Sequence, residues 1–208
     1  VTPGIGAAGW MADIKTAMPY ASLPELADGS WAVCPHIIGI GSFRVKRIAG
    51  LWRVAPGESI VMGVGPGGGG YNLTAAGTST VVLDSGTIPA GIIKVGETWA
   101  VDTHAEKTTH VSGSDAIQVM WADTFFIGNN SQIPAAVGYH VGDVNVSWTS
   151  DTAARRRLSS GQNNDGASGA ISTGIASINS DQTLSLAVTP GGAGNVIDVF
   201  HWALRRVS

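Results

Sequence analysis

From Thr78 onward the chain is written with a period of two. Leu184, Leu186 and Val188 alternate with Thr183, Ser185 and Ala187. Val144, Val146 and Trp148 alternate with Asn145, Ser147 and Thr149, and Ile117, Val119 and Trp121 share one side of their run. Alternation of this kind gives an extended backbone one apolar face and one outer face, which is the pattern of a β-strand covered on one side. Gly, Asn, Asp, Ser and Pro separate the runs, and helical periodicity is missing between them. The stretch 83–102 sets the grammar. A strand is predicted to end at Leu83, and Pro89 and Gly91 supply a fixed and then a permissive φ for a turn. Ile92, Ile93 and Val95 are expected to tuck inward, Gly96 to turn the chain, and Thr98 to open the next strand.

Strands are predicted over 78–83, 97–104, 116–123, 124–127, 141–150, 152–159, 170–178, 182–188 and 196–207. Their spacing predicts an all-β protein built as a two-sheet jelly roll. Composition agrees: the 208 residues include 29 Gly, and only 13% are charged, about half of the usual quarter. A surface so poor in charge predicts that subunit interfaces cover part of it. A net charge of −3 offers no basic face for nucleic acid. The Arg155-Arg156-Arg157 run reads as a solvated or inter-subunit strand edge. Cys34 stands alone, so neither an intrachain disulfide nor a cysteine-based zinc site is available. No run approaches the roughly 18 to 20 apolar residues of a membrane-spanning helix.

The first part of the chain divides differently. Residues 1–19 read as an arm, flexible at first, with Trp10, Ile14 and Met18 spaced for one or two helical turns that would dock against a particle or a partner subunit. Residues 20–70 read as a small β-module and a joint. Phe43, Val45 and Arg47 alternate with Arg44, Lys46 and Ile48, Ala49-Gly50 turns the chain, and 51–54 returns as the second arm of a hairpin. The glycine-rich 63–70 lacks the Lys-Ser or Lys-Thr and the following helix of a phosphate loop, so a linker is the better reading. Residues 71–208 form the large domain.

Catalytic sets are absent from this pattern. Gly-x-Ser-x-Gly does not occur, and no specific carboxylate pair can be nominated for a glycosidase. Neither catalytic residues nor a cofactor are expected. Asp102, His104 and Glu106 share one face of a strand and are weak candidates for a metal, although an exposed polar face gives the same pattern. Aromatic faces suit sugar binding better. Trp31, Trp99, Trp121 and Trp148 lie inside strand patterns and are expected in the core, which leaves Tyr71, Tyr139 and His140 near loops. Gln162, Asn163, Asn164 and Asp165 offer amides and a carboxylate suited to sugar hydroxyls, or make an ordinary polar turn.

Two regions carry a resemblance. Leu23-Pro24 followed by Ala27-Asp28-Gly29, then a hairpin closing on Gly50-Leu51-Trp52-Arg53-Val54, resembles a small module of bacteriophage fibre proteins, in which an LPxxADG segment precedes a DGTRWRP-like hairpin. The Asp and Thr of that hairpin are replaced here by Ala49-Gly50-Leu51, while Trp52, Arg53 and Pro56 stay near their places. The stretch 84–97 resembles the ATVTIPAGxLxxGD corner of fibre tips, and Val196 through Ser208 resembles their closing strand. The resemblance implies a virion fibre or spike subunit, on head or tail, of a phage or a phage-derived gene transfer agent. It implies a homotrimer with a tumour necrosis factor-like jelly-roll tip, an N-terminal part bound to capsid or tail proteins, and a tip that recognises a host surface polysaccharide. Such a subunit is made in the bacterial cytoplasm and ends on the particle surface. A capsid decoration protein and a polysaccharide depolymerase are the alternatives.

Overall fold

The computed structural model describes residues 13–123, 125–127, 131–133, 137–158 and 171–208. The fold is all-β: besides strands, the described residues form only two single-turn helices, Tyr20–Ser22 and Pro66–Gly68. The strands build three sheets. The smallest takes β1 (Asp13–Ile14), β2 (Trp31–Pro35), β4 (Ser42–Ile48) and β5 (Leu51–Val54) in the order β1-β2-β4-β5. The largest runs β15-β14-β13-β9-β17-β6-β3 and consists of β3 (Ile38–Gly39), β6 (Ser59–Gly63), β9 (Thr98–Thr109), β13 (Gly138–Ser150), β14 (Ala153–Leu158), β15 (Ile171–Thr173) and β17 (Val196–Arg206). β7 (Tyr71–Thr74) also pairs with β17, beyond the end of β6. The third sheet orders β11 (Phe125–Phe126), β10 (Asp115–Trp121), β16 (Gln182–Thr189) and β8 (Val81–Ile88), with β12 (Ser131–Ile133) on β10. Every pairing is antiparallel except β1 with β2 and β3 with β6.

The two larger sheets share one core. Trp99, Val101, Val144, Val146, Trp148, Ile197 and Trp202 from one meet Ile117, Val119, Trp121, Leu184, Leu186 and Val188 from the other. Trp121 and Trp148 touch edge to face across the interior, with ring centroids 5.6 Å apart. The Trp121 indole also donates to the Ala176 carbonyl at 2.9 Å, so its polar edge is satisfied in the interior. Trp99, Trp121 and Trp148 are therefore core residues, as alternation predicts. Trp31 is not: it stands 36% exposed on β2, with the Lys46 ammonium 5.2 Å from its ring centre.

The small sheet docks at one end of this sandwich. Tyr20 donates its hydroxyl to the Trp52 carbonyl, and the Trp52 indole donates to the Pro24 carbonyl. Arg206, near the end of β17, donates to the Val54 carbonyl and lies 3.3 Å from Glu97. Arg53 of β5 approaches the same Glu97 at 3.7 Å. The predicted hairpin is present as β4 and β5. Its turn takes Ala49 and Gly50 at φ 50° and 73°, the sense of twist that two-residue hairpins need. Asp28 fixes that turn by accepting the Gly50 amide at 2.9 Å.

Several expectations are corrected. Asp13 and Ile14 are extended, not helical: their backbone pairs with Trp31 and Ala32 at the sheet edge, an outlet that outweighs a helix too short to hold itself. The strand expected to end at Leu83 continues as β8 to Ile88, because β16 pairs with it through Gly86 and beyond. Ile92 and Ile93 are buried at the corner, whereas Val95 is exposed. Residues 57–70, read as a joint in which 58–64 could be a strand, do supply a strand there, β6 of the largest sheet. Gly63 is required there, since a Cβ would run into the Trp202 indole.

Candidate functional site

Period two places the even-numbered residues of β9 on the outer face of the largest sheet, away from the core. Asp102, His104 and Glu106 stand on it, as the spacing predicts. The neighbouring strands complete the face in register: Val141 and His201 flank His104, Asp143 and Ala203 flank Asp102, and Tyr139 and Asp198 flank Glu106. The His104 and His201 rings meet edge to face at 5.5 Å. His201 Nε2 also lies 2.9 Å from Met62 Sδ on the next strand. Asp102 pairs with Arg205 at 3.6 Å, and Asn72 donates to Asp198 at 2.5 Å.

The electrostatics of the face follow from partial burial. Asp102 is pushed above the ordinary carboxylate range, first by burial and then by Asp143, with Arg205 opposing. His201 is held below the ordinary imidazole value by burial and then by His104. Among the described residues no three His, Cys, Asp or Glu groups converge as a metal site. Successive same-face residues of a strand lie about 6.6 Å apart, too far for Asp102, His104 and Glu106 to close around one ion without help from elsewhere.

The candidate sugar contacts separate. Tyr139 is 78% exposed at the start of β13. His140 points the other way: it is 6% exposed on the inner face, and burial holds its imidazole below the ordinary value. One step along a strand turns a side chain to the opposite face, so two neighbouring aromatic rings cannot both serve the outside. Tyr71 is half-buried and donates to Asp84, which also accepts the Trp202 indole at 3.2 Å. That carboxylate bridges the two sheets, and burial pushes the Tyr71 phenol up. Tyr71 is thus committed to a structural bond. Gln162, Asn163, Asn164 and Asp165 lie outside the described residues.

The face carries two features that single strands hide. His201, Asp143 and Asp198 are brought beside the Asp102–Glu106 row only by strand pairing over 40 to 100 positions of chain. Apolar groups are also exposed on or beside the face: Val141 at 58%, and Phe200 at 40% in the bulge between Val199 and His201. Charge is sorted along the strands. Acidic groups gather toward Tyr139, while Arg205 and the residues Arg155 and Arg157, paired to Ser147 and Asn145, stand toward the other end. The face can therefore associate with a flat, charge-matched surface and stack an aromatic ring. No family model matches this chain, and no curated protein matches it either.

Proposed function

We propose that this chain is a structural subunit of a phage-type virion fibre or spike, fixed to the particle by its N-terminal part and directed to a host surface polysaccharide by its β-sandwich. The sandwich is of the jelly-roll, tumour necrosis factor-like type. The strand order β6-β17-β9-β13 opposite β8-β16-β10-β11 supports that reading, because a jelly roll places first, last and middle strands side by side in this way. The subunit is a homotrimer, and it uses no metal, cofactor or catalytic group.

The observation that carries the proposal is the outer face of the largest sheet. Tyr139, Val141 and Phe200 are exposed there on or beside a flat surface whose acidic and basic groups lie at opposite ends. Exposed aromatic and aliphatic groups on a charge-sorted face suit contact with copies of the same chain or with a carbohydrate surface. Tyr139 is the described aromatic group best placed to stack on a sugar ring.

A second reading, a particle decoration protein that binds no glycan, is favoured by the inward turn of His140 and the engagement of Tyr71 with Asp84. Two measurements decide. Native mass of the purified protein is expected to give a trimer; a strict monomer at high concentration removes the fibre reading. A glycan array with host-cell binding is expected to give polysaccharide-dependent attachment that Tyr139→Ser weakens. A trimer that binds neither glycan nor host cells leaves the decoration reading. Release of reducing sugar from host polysaccharide would make the protein a depolymerase instead.

A further inference from the structure

At the end of the sandwich remote from the small sheet lie three polar residues that no surface function needs. Lys107 near the end of β9 and Asp115 at the start of β10 have side chains with no exposure, and Asn195, just before β17, is equally buried. Lys107 Nζ lies 2.6 Å from Asp115 Oδ2, an oxygen that has no hydrogen-bond partner of acceptable geometry. The pair is close enough for strong attraction, and the ammonium also donates to the Gly113 carbonyl at 3.4 Å. The other oxygen of Asp115 accepts from the Asn195 side-chain Nδ2 and from the Gly191 backbone, both at 2.8 Å. Asn195 Oδ1 accepts two backbone amides, Val111 at 2.7 Å and Ser112 at 3.2 Å. Backbone closes over the site: a Cβ on Gly113 or on Gly191 would collide with the main chain of the other loop.

These are the parts that aminolysis of an amide requires. The amine is held dry, the amide oxygen sits in a pair of N–H donors, and one carboxylate touches both the amine and the amide nitrogen. We propose that Lys107 and Asn195 condense into an intramolecular isopeptide bond, with Asp115 as the proton-transfer group. Asp115 takes a proton from the Lys107 ammonium, and the freed nitrogen bonds to Asn195 Cγ. The charge on the carbonyl oxygen rests on the Val111 and Ser112 amides. As the intermediate collapses, the Cγ–Nδ2 bond breaks. The two protons lost by the Lys107 nitrogen pass through Asp115 to the departing nitrogen, which leaves as ammonium. No oxidant or co-reactant enters, and Asp115 ends as it began. The product replaces the buried ammonium by a neutral amide and leaves the Asp115 carboxylate accepting from the Gly191 backbone. This inference is independent of what the outer face binds.

Intact mass spectrometry of the denatured full chain tests it. The expected mass lies below that of the sequence by one ammonia, about 17 Da, and digestion should yield a branched peptide joining Lys107 to Asn195. A full sequence mass overturns the proposal, as does a loss of about 17 Da that maps to a succinimide elsewhere. A loss of water, about 18 Da, with Lys107 joined to Asp115 overturns it too, since Asn195 would then be a spectator. Asp115→Asn keeps the shape of the site but cannot carry the proton, and is expected to show the full sequence mass with strand content retained by circular dichroism. Should that variant not fold, the wild-type mass and the branched peptide decide alone.

Discussion

Two buried carboxylates lie at opposite ends of β9, and the chain treats them differently. Glu97, just before the strand, faces two guanidinium groups that stand off at 3.3 and 3.7 Å. Its Oε2 accepts the Lys94 backbone and Trp99 indole N–H groups, its Oε1, like Asp115 Oδ2, has no hydrogen-bond partner, and burial outweighs the arginines, so its carboxyl is pushed above the ordinary range. Asp115, paired with the other end, is in direct contact with Lys107 and accepts an amide proton from Asn195 and another from Gly191. The difference follows from what each joins. Glu97 meets an arginine of the small sheet and one of the sandwich, so its cations come from two packed units that need not match perfectly. Asp115 ties together the 110–115 and 189–195 loops within one sandwich. A charge in a joint tolerates slack, whereas a charge in a closed core needs its partners at bonding distance.

The comparison breaks most visibly if the tight end is opened. Asp115→Ala leaves Lys107 and the Asn195 amide facing an empty space, and is expected to cost about 3–5 kcal/mol of global stability. Denaturant unfolding measures this; a loss below about 1 kcal/mol would mean that Asp115 is no more important than an exposed ion pair. Glu97→Gln is the matched change at the loose end. It keeps the Lys94 and Trp99 contacts in shape and removes a charge that burial already disfavours, so global stability is expected to change by less than about 1 kcal/mol. The effect should be local. Amide exchange is expected to quicken in β4 and β5 and to stay slow in β9, and equal acceleration in both would show that the small sheet and the sandwich open as one unit.

Acidification distinguishes the two ends by sign. His140 lies on the inner face one pair of residues from the register of Lys107, and its folded value is below the ordinary 6.5. The unfolded chain then takes up the proton first, so stability present above 6.5 is lost as the pH falls from 6.5 through the lowered folded value. His201 on the outer face contributes a slope of the same sign. Glu97 does the reverse: its folded value is raised above 4.5, the folded chain binds the proton first, and stability from this group rises as the pH falls toward 4.5. His140→Gln should flatten part of the first slope and leave the second, and Glu97→Gln should flatten part of the second, to which Asp102 adds with the same sign. A thermal-melt series from pH 7.5 to 4 reads both, and a His140→Gln profile identical to wild type would contradict the first assignment.

Much of the architecture was legible because alternation is a local signal. Val144, Val146 and Trp148 declare their face within five residues, and Ala49-Gly50 declares its turn within two. Pairing between distant strands left no such mark. Nothing around Ser59–Gly63 says that it would line up with Trp202 to Arg205, and so the small module and the sandwich could not be told apart at their seam. The outer face shows the same limit. Asp102, His104 and Glu106 were readable as one row, but His201 joins them only through the register of β17 with β9. His140 and Tyr71 were read by their nearness to loops, and the deciding facts were which side of β13 a residue occupies and where Asp84 sits. Lys107, Asp115 and Asn195 gave no signal, because a lysine in a run of polar residues looks exposed until two loops close over it.

Tyr139 supplies the smallest effect on stability and the sharpest separation of roles. If the two buried carboxylates carry the stability of this sheet, the outer face above them is free to serve contact. Tyr139 is 78% exposed, so Tyr139→Ser removes almost no buried area and should change unfolding free energy by less than about 0.5 kcal/mol. The same change deletes the widest apolar surface at the acidic end of the face, beside Val141 and Glu106. If copies of the chain, rather than a sugar, occupy this face, their association weakens while each subunit stays folded. Sedimentation across a dilution series is expected to show the oligomer dissociating at higher protein concentration than wild type, with an unchanged melting temperature at high concentration. A variant that loses stability in proportion to its loss of assembly would place Tyr139 in the fold itself, and one that keeps both would move the contact surface away from this face.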